Sequence, residues 1–216
     1  MPNSKFKLCI FDLDGTLIDS QRDLANSVNF VLAHYKYPAA DIAAIRSYVG
    51  NGVVTLMELA LPGGFKDAKL REAVSLFREH YTGHLLDTTR PYEGIEPLLA
   101  SSENIMKAVL TNKPEGFSVS ILNGLGLSKY FKITWGGDTG KTRKPSPEPV
   151  LSILSKLNIK PAEAILIGDG MTDILAAKAA GVSSGAVLYG YTAKEKLAAL
   201  NPDYYFESPE EIKTIL

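Results

Sequence analysis

Two aspartates near the start of the chain stand at the end of an apolar segment. Residues 8–11 are apolar and run directly into Asp12 and Asp14, which are followed by Gly15. Side chains two residues apart on a strand point to the same face, so both carboxylates would address one reacting centre. Two acids at the end of a buried strand are costly without positive charge, and Mg²⁺ with a substrate phosphate would supply that compensation. The alternative interpretation is a strand that ends in an acidic turn.

In three later parts of the chain, polar residues also stand just after an apolar segment or in the loop that follows it. Thr111 follows the apolar segment 106–110, Lys144 lies in the loop after the next one, and Asp169 follows the segment 164–167. A phosphate dianion repels an anionic nucleophile, so a phosphoryl-transfer site must supply positive charge and hydrogen-bond donors. Lys144 would supply the charge, Thr111 a hydroxyl donor, and Asp169 with Asp12 a Mg²⁺ site.

A pair of carboxylates also suits the chemistry of phosphate esters. One carboxylate serves as the nucleophile and forms an aspartyl-phosphate. A second acid protonates the leaving alkoxide and then activates water against the intermediate.

The elements that must position these residues alternate between strands and helices from residue 91 onward. This alternation predicts an α/β fold with a doubly wound parallel sheet, whose ligands bind at the carboxyl ends of the strands. The predicted strands are 8–11, 106–110, 133–135, 164–167, 186–188 and 204–206. The predicted helices of this part are 95–101, 114–124, 147–157 and 172–180, with two more beginning near 192 and 208.

The stretch between the first strand and residue 90 shows only helical periodicity. Helices are predicted at 20–35, 41–49, 53–61 and 70–86, with no strand from 20 to 89. Ser20 with Asp23 is a typical helix start, in which the serine side chain caps the first turn. We therefore predict a core domain of residues 1–18 and 90–216 and a small α-helical cap domain of residues 19–89.

Composition excludes several classes of function. The chain has 216 residues, 45% of them hydrophobic, and a net charge of −1, which leaves no electrostatic footprint for nucleic acid or an anionic membrane. Cys9 is the only cysteine, so neither an internal disulfide nor a cysteine-based zinc site is expected. No apolar run approaches the roughly 18 residues of a membrane span. We expect a cytoplasmic protein, monomeric or homodimeric, that binds neither nucleic acid nor membrane.

The order and placement of the motifs resemble the haloacid dehalogenase superfamily over essentially the whole chain. The four motifs are Asp12-Leu13-Asp14-Gly15-Thr16, Thr111, Lys144, and Gly168-Asp169 with Asp173. The resemblance implies that Asp12 is the nucleophile and Asp14 the general acid/base. It also implies that Thr111 and Lys144 hold the phosphoryl group, and Thr16 and Asn112 are further candidates for phosphate binding. Asn112 and Lys113 either orient this phosphate loop or cap the helix that follows. The implied Mg²⁺ ligands are Asp12, the backbone carbonyl of Asp14, and Asp169, with Asp173 mostly behind them.

The same resemblance narrows the reaction. The superfamily's dehalogenases lack the second aspartate, and its phosphonatases replace it with a small residue, so Asp14 indicates a phosphotransferase. The helical insertion resembles the cap of the phosphoglycolate phosphatase-like branch, although Gly170 stands where serine is commoner there. Arg46 and Asn51, both in the cap, are candidates for substrate contact, because loops carry specificity.

We therefore expect a Mg²⁺-dependent phosphatase that hydrolyses a small phosphorylated metabolite, with 2-phosphoglycolate as the best single candidate. A phosphosugar mutase similar to β-phosphoglucomutase, a pyrophosphatase or a nucleotidase on the same core are the alternatives. A non-catalytic phosphometabolite-binding module is a further alternative, and it would be expected to lack at least one catalytic group.

Overall fold

A six-stranded, wholly parallel sheet forms the centre of the computed structural model, which describes residues 5–63, 65–101 and 104–216. Its strands are β1 (Leu8–Phe11), β4 (Met106–Leu110), β5 (Ile133–Trp135), β6 (Ala164–Gly168), β7 (Ser183–Val187) and β8 (Tyr204–Phe206). Their order across the sheet is β5-β4-β1-β6-β7-β8, which places β1 between β4 and β6. The predicted α/β class with a parallel sheet is confirmed.

Helices cover both faces of this sheet because successive side chains of each strand point to opposite sides. Cys9 and Phe11 pack against α5 (Ile95–Ser101), α6 (Glu115–Gly124) and α10 (Pro209–Ile212). Leu8 and Ile10 pack against α7 (Glu148–Leu157) and α8 (Met171–Ala180) on the other face. A short helix, α9 (Lys194–Ala198), precedes β8. All four residues of β1 are buried, which explains its continuous apolar sequence.

A second group of helices has a hydrophobic cluster of its own. It comprises α1 (Gln21–His34), α2 (Ile42–Arg46), α3 (Val53–Ala60) and α4 (Asp67–Gly83). Their apolar faces meet in a cluster that includes Val28, Met57 and Phe77. This separate core supports the proposed cap of residues 19–89 and the core domain of residues 1–18 and 90–216, of which residues 1–4 lie outside the described part.

A two-stranded antiparallel pair joins the two groups. It consists of β2 (Ile18–Asp19) and β3 (Arg90–Pro91), with Ile18 opposite Pro91 and Asp19 opposite Arg90. The sequence did not predict these strands, because two residues are too few to show the alternation of a strand. The pair closes the helical insertion at its base, where the chain leaves the core and returns to it.

The predicted side-chain cap of α1 is wrong. Ser20 occupies the N-cap position, but its hydroxyl donates to the Asp14 carboxylate instead of accepting from the helix. Asp23 is fully buried and accepts hydrogen bonds of 2.6–3.0 Å from the backbone N–H and hydroxyl groups of Thr88 and Thr89. Burial acts to raise the pKa of Asp23, but these hydrogen bonds outweigh it and hold the pKa below its ordinary value.

Among the described residues, none of the helices combines the length and the apolar character needed to cross a membrane.

Replacing Asp23 with asparagine should weaken its hydrogen bonds to Thr88 and Thr89, where the chain returns from the cap to the core. We expect Asp23→Asn to lower the free energy of unfolding at pH 7 by about 2 kcal/mol, because buried N–H donors lose a charged acceptor. Since the pKa of Asp23 is lowered in the folded state, its contribution is complete above the ordinary carboxyl pKa of about 3.9 and is lost as pH falls through the folded-state value. Urea unfolding of both proteins from pH 7 downward measures this difference.

The control is Asp41→Asn, because Asp41 is exposed and makes no side-chain cap bond at the start of α2. A stability difference for Asp23→Asn that stays constant as the acid range is entered would contradict the role assigned to this carboxylate.

Candidate active site

The predicted catalytic and metal-binding residues lie at one edge of the sheet, where the carboxyl ends of the neighbouring strands β4, β1 and β6 are adjacent. Asp12 directly follows β1, Thr111 follows β4 and Asp169 follows β6. All three residues are buried. Strand order alone therefore brings together groups that are far apart in the sequence, as expected for ligand sites in parallel sheets.

Lys144 is the positive centre of this edge. Its Nζ lies 2.9 Å from Asp12 Oδ1 and 2.5 Å from Asp173 Oδ1, and it donates to the Leu110 carbonyl at 2.8 Å. Its side chain is only 1% exposed, so burial acts to lower its pKa, but the two carboxylates raise the pKa above its ordinary value. Lys144 is therefore a permanent cation between the two acids.

Three carboxylates surround this lysine and exceed its charge. Oxygen atoms of Asp12, Asp169 and Asp173 all lie within 4.8 Å of one another, and all three residues are buried. Burial, and then the proximity of Asp12 and Asp173, raises the pKa of Asp169 to about 8. Burial and Asp173 raise the pKa of Asp12 to about 6, against the opposing effect of Lys144. Burial is the largest cause of both shifts, and the negative charge of the neighbouring carboxylates adds to it.

The donor set of this cluster fits a hard divalent cation. Carboxylate oxygens are the ligands that Mg²⁺ prefers, together with waters and substrate phosphates. With Asp14 and Lys113 included, four carboxylates face two ammonium groups at this edge. Their fully ionised charge would be −2, which one divalent cation neutralises.

Asp169 is fixed in place from two sides. Its Oδ2 accepts from the backbone N–H of Tyr191 at 2.7 Å, and its Oδ1 accepts from the Thr16 hydroxyl at 3.3 Å. The same hydroxyl accepts from the backbone N–H of Asp169 at 3.0 Å. Gly15 has a φ of 79°, and a Cβ there would collide with the Asp169 carboxylate, so this turn requires glycine. Thr16 was predicted to bind phosphate, and the structure shows its hydroxyl bracing Asp169.

Asp173 and Asn112 each connect two parts of the site. Asp173 stands in the first turn of α8, where its Oδ2 accepts from the Gly170 N–H at 2.9 Å while its Oδ1 meets Lys144. The side-chain amide of Asn112 donates to the Lys144 carbonyl at 3.0 Å and to the Gly50 carbonyl at 2.8 Å. Asn112 therefore ties the Lys144 loop to the cap.

Lys113 was considered as a residue of the phosphate loop or a helix cap, but its contact with Asp14 was not predicted. Its Nζ lies 2.9 and 3.0 Å from the two carboxylate oxygens of Asp14. Burial alone would lower the pKa of Lys113, but Asp14 and then Tyr81 raise it. The signal was present in the sequence, because Lys113 stands two residues beyond Thr111, in the loop at the carboxyl end of β4. The Asp14 carboxylate thus faces a lysine of its own, separate from Lys144.

The two predicted cap residues lie at the mouth of the site. Arg46 and Asn51 are exposed and line a cavity of about 240 Å³, which also borders Asp12, Asp14 and Asp169. A second cavity borders Asp12 and Asp14 and extends between the cap and the core, where most of its wall is apolar. The residues of that wall include Leu24, Val53, Leu56, Phe77 and Phe117.

Comparison with known proteins assigns the family. A family model described as haloacid dehalogenase-like hydrolase matches residues 9–187, which is most of the chain. The chain belongs to the haloacid dehalogenase-like hydrolase family. The resemblance predicted from the four motifs is thereby confirmed, together with the hydrolase class of the enzyme.

Individual members of the family resemble the chain over nearly its whole length. The chain is 36% identical over 214 residues to phosphoglycolate phosphatase 1 of Pseudomonas aeruginosa. The alignment covers 95% of this chain and 78% of that protein. It is 36% identical over 212 residues to the phosphoglycolate phosphatase of Aquifex aeolicus, with 97% and 96% covered. The crystal structure of a predicted phosphoglycolate phosphatase from Haemophilus somnus has a TM-score of 0.93 at 29% identity, covering 99% of both chains.

Removing Lys144 from between Asp12 and Asp173 should destabilise the folded hydrolase. We expect Lys144→Met to lower the free energy of unfolding by about 3–5 kcal/mol, because it leaves buried carboxylates without their cation. Urea unfolding in metal-free buffer measures the loss. Lys141→Met, which removes an exposed lysine of the same loop, is the matched control and should change stability by less than about 0.5 kcal/mol. Equal stability of the two variants would refute the central place of Lys144.

Proposed function

We propose that this protein is a Mg²⁺-dependent phosphatase that hydrolyses a small phosphomonoester, with 2-phosphoglycolate as the best single candidate. One observation carries the proposal: a buried lysine stands between Asp12 and Asp173, with Asp169 beside them, at the sheet edge where Thr111 ends the neighbouring strand. The substrate candidate follows from the resemblance of the helical insertion, and the similarity to the phosphoglycolate phosphatases of Pseudomonas aeruginosa and Aquifex aeolicus supports it.

The proposed metal ligands are the carboxylates of Asp12 and Asp169 and the backbone carbonyl of Asp14, with Asp173 behind them. When bound, Mg²⁺ would hold phosphate oxygens and offset the negative charge that raises the pKa of Asp169. Asp173 would act mainly through Lys144, because one of its carboxylate oxygens faces that ammonium and the other accepts from Gly170.

In the first step, an Asp12 oxygen attacks phosphorus and an aspartyl-phosphate forms while the ester P–O bond breaks. Attack requires the ionised carboxylate, which a pKa of about 6 provides at neutral pH. Asp12 is oriented by the backbone N–H of Leu13, which donates to its Oδ1 at 2.7 Å, and by Lys144. Asp14, which must enter this step protonated, gives its proton to the departing alkoxide and regains one from water in the second step.

In the second step, Asp14 takes a proton from a water molecule that attacks the same phosphorus. The bond between Asp12 and phosphorus breaks, inorganic phosphate leaves, and the Asp12 carboxylate is restored. Lys144 and the hydroxyl of Thr111 would stabilise the charge on the transferring phosphoryl group in both steps. The apolar wall of the cavity between the cap and the core would exclude other water from the intermediate.

A screen of phosphorylated metabolites with Mg²⁺, scored by phosphate release and kcat/KM, tests this function. Release of phosphate from 2-phosphoglycolate with the highest kcat/KM is the expected result. An isomerised sugar phosphate without net phosphate release would identify a mutase, and preference for pyrophosphate or nucleotides would identify the other two alternatives. Binding of phosphometabolites without any turnover would indicate a non-catalytic module.

Asp12→Asn should abolish turnover, because an amide cannot serve as the nucleophile. We expect kcat toward 2-phosphoglycolate to fall by about 10⁴-fold or more. Phosphate release at saturating Mg²⁺ measures it, with the exposed Asp41→Asn as a control that keeps wild-type activity. Substantial residual turnover by Asp12→Asn would contradict the proposed covalent mechanism.

Arg46 offers a test of the substrate. We expect Arg46→Ala to raise KM for 2-phosphoglycolate about tenfold with little change in kcat, because a charge-assisted contact with the substrate carboxylate is lost. Ethyl phosphate, which lacks that carboxylate, should be hydrolysed equally well by both proteins. Arg71→Ala, an exposed arginine on α4, is the control. An equal rise in KM for both esters would argue against recognition of the carboxylate by Arg46.

A further inference from the structure

Two consecutive residues at the end of β4 hold the cap against the core. The amide of Asn112 donates to the Gly50 carbonyl, and Lys113 reaches the hydroxyl of Tyr81 on α4. Both follow Thr111 directly, so the loop proposed to hold phosphate is also a contact with the cap. Of these two residues, Lys113 also contacts Asp14, the group with a proposed role in proton transfer.

The Lys113 ammonium is shared between the cap and Asp14. Its Nζ lies 2.9 and 3.0 Å from the two Asp14 oxygens, and it donates to the Tyr81 hydroxyl at 2.8 Å. Tyr81 is fully buried, and its ring packs against Phe77 and Phe117 at centroid distances of 5.4 and 5.2 Å. Phe77 belongs to the cap and Phe117 to the core helix α6, so the packing of the cap on the core sets the position of the hydroxyl.

We propose that Tyr81 is a positioning residue for proton transfer, in which its hydroxyl fixes the Lys113 ammonium and Lys113 in turn fixes the Asp14 carboxylate. This inference rests on the proposed phosphatase function. Its consequence is that Asp14 stands correctly only while the cap is in contact with the core. The chemistry would then be coupled to the contact between the cap and the core through Lys113.

The physical basis is the flexibility of the lysine side chain. An ammonium group has three donors on a long flexible stem, and it takes one position only when its acceptors are fixed. Asp14 supplies two acceptor oxygens and Tyr81 supplies the third. Without the Tyr81 hydroxyl, the buried ammonium would reorient toward another acceptor, and the Asp14 carboxylate would move with it.

Tyr81→Phe tests the inference because it deletes the hydroxyl and keeps the ring. The readout is kcat/KM for two esters that differ in their need for an acid. The alkoxide leaving from 2-phosphoglycolate is strongly basic and needs a proton, whereas p-nitrophenolate leaves as a stable anion. Because kcat/KM reports steps up to release of the alcohol, it isolates the protonation by Asp14 from the later hydrolysis.

We expect Tyr81→Phe to lower kcat/KM for 2-phosphoglycolate about tenfold and for p-nitrophenyl phosphate less than about twofold. Tyr35→Phe, which removes a hydroxyl in the same helical cluster away from Asp14, should leave both values unchanged. In an Asp14→Asn background, adding Tyr81→Phe should cause no further loss toward 2-phosphoglycolate, because both changes act on one proton transfer.

Equal losses for the two esters would show a merely structural role for Tyr81 and overturn the inference. Unchanged values for both esters would overturn it as well. If the wild-type protein hydrolysed neither ester, the proposed phosphatase function itself would fail, and that result is distinguishable because it does not depend on any variant.

Discussion

The contact of Lys144 with Asp12 and Asp173 is the interaction on which the rest of this site depends. A lysine that is 1% exposed is tolerable only beside fixed carboxylates, and the carboxylates are tolerable only beside the lysine. The sheet meets this requirement by placing β1 next to β6, and α8 completes it by presenting Asp173 from its first turn. Four carboxylates against two ammonium groups leave an excess of negative charge at this edge, which suits the site to a divalent cation.

The two aspartates of the first motif have different surroundings although only Leu13 separates them. Asp12 belongs to the charge cluster around Lys144, and Asp14 belongs to a second cluster that includes Lys113 and Ser20. This separation suits the two roles proposed for them, because a nucleophile must point at phosphorus and a proton donor at the leaving oxygen. The second cluster also contacts the cap through Tyr81, whereas the first lies wholly within the core.

Much of this arrangement was predictable because strand ends follow a simple rule. Apolar residues dominate the strands that precede Asp12, Thr111 and Asp169, with the buried Lys107 of β4 as an exception, and polar residues begin where each strand ends. Prediction failed where that signal is absent. β7 begins at Ser183, three residues before its predicted start. The prediction missed Ser183, Ser184 and Gly185 because they are not the β-branched or aromatic residues typical of strands, although they pair here with β6. Ser20 and Asp23 have the residue types of a helix cap, yet each bonds a more distant partner.

Periodicity and residue chemistry are local properties, and they were sufficient to predict the fold class, the helical insertion, the family, and the identity of the acids and of Lys144. Three features depend on tertiary packing: which acid faces which lysine, the contact of Thr16 with Asp169, and the contact of Tyr81 with Lys113. The last contact joins residues 32 positions apart on two separately packed groups of helices and strands. No local pattern encodes such a pair, since its distance depends on how the cap packs on the core.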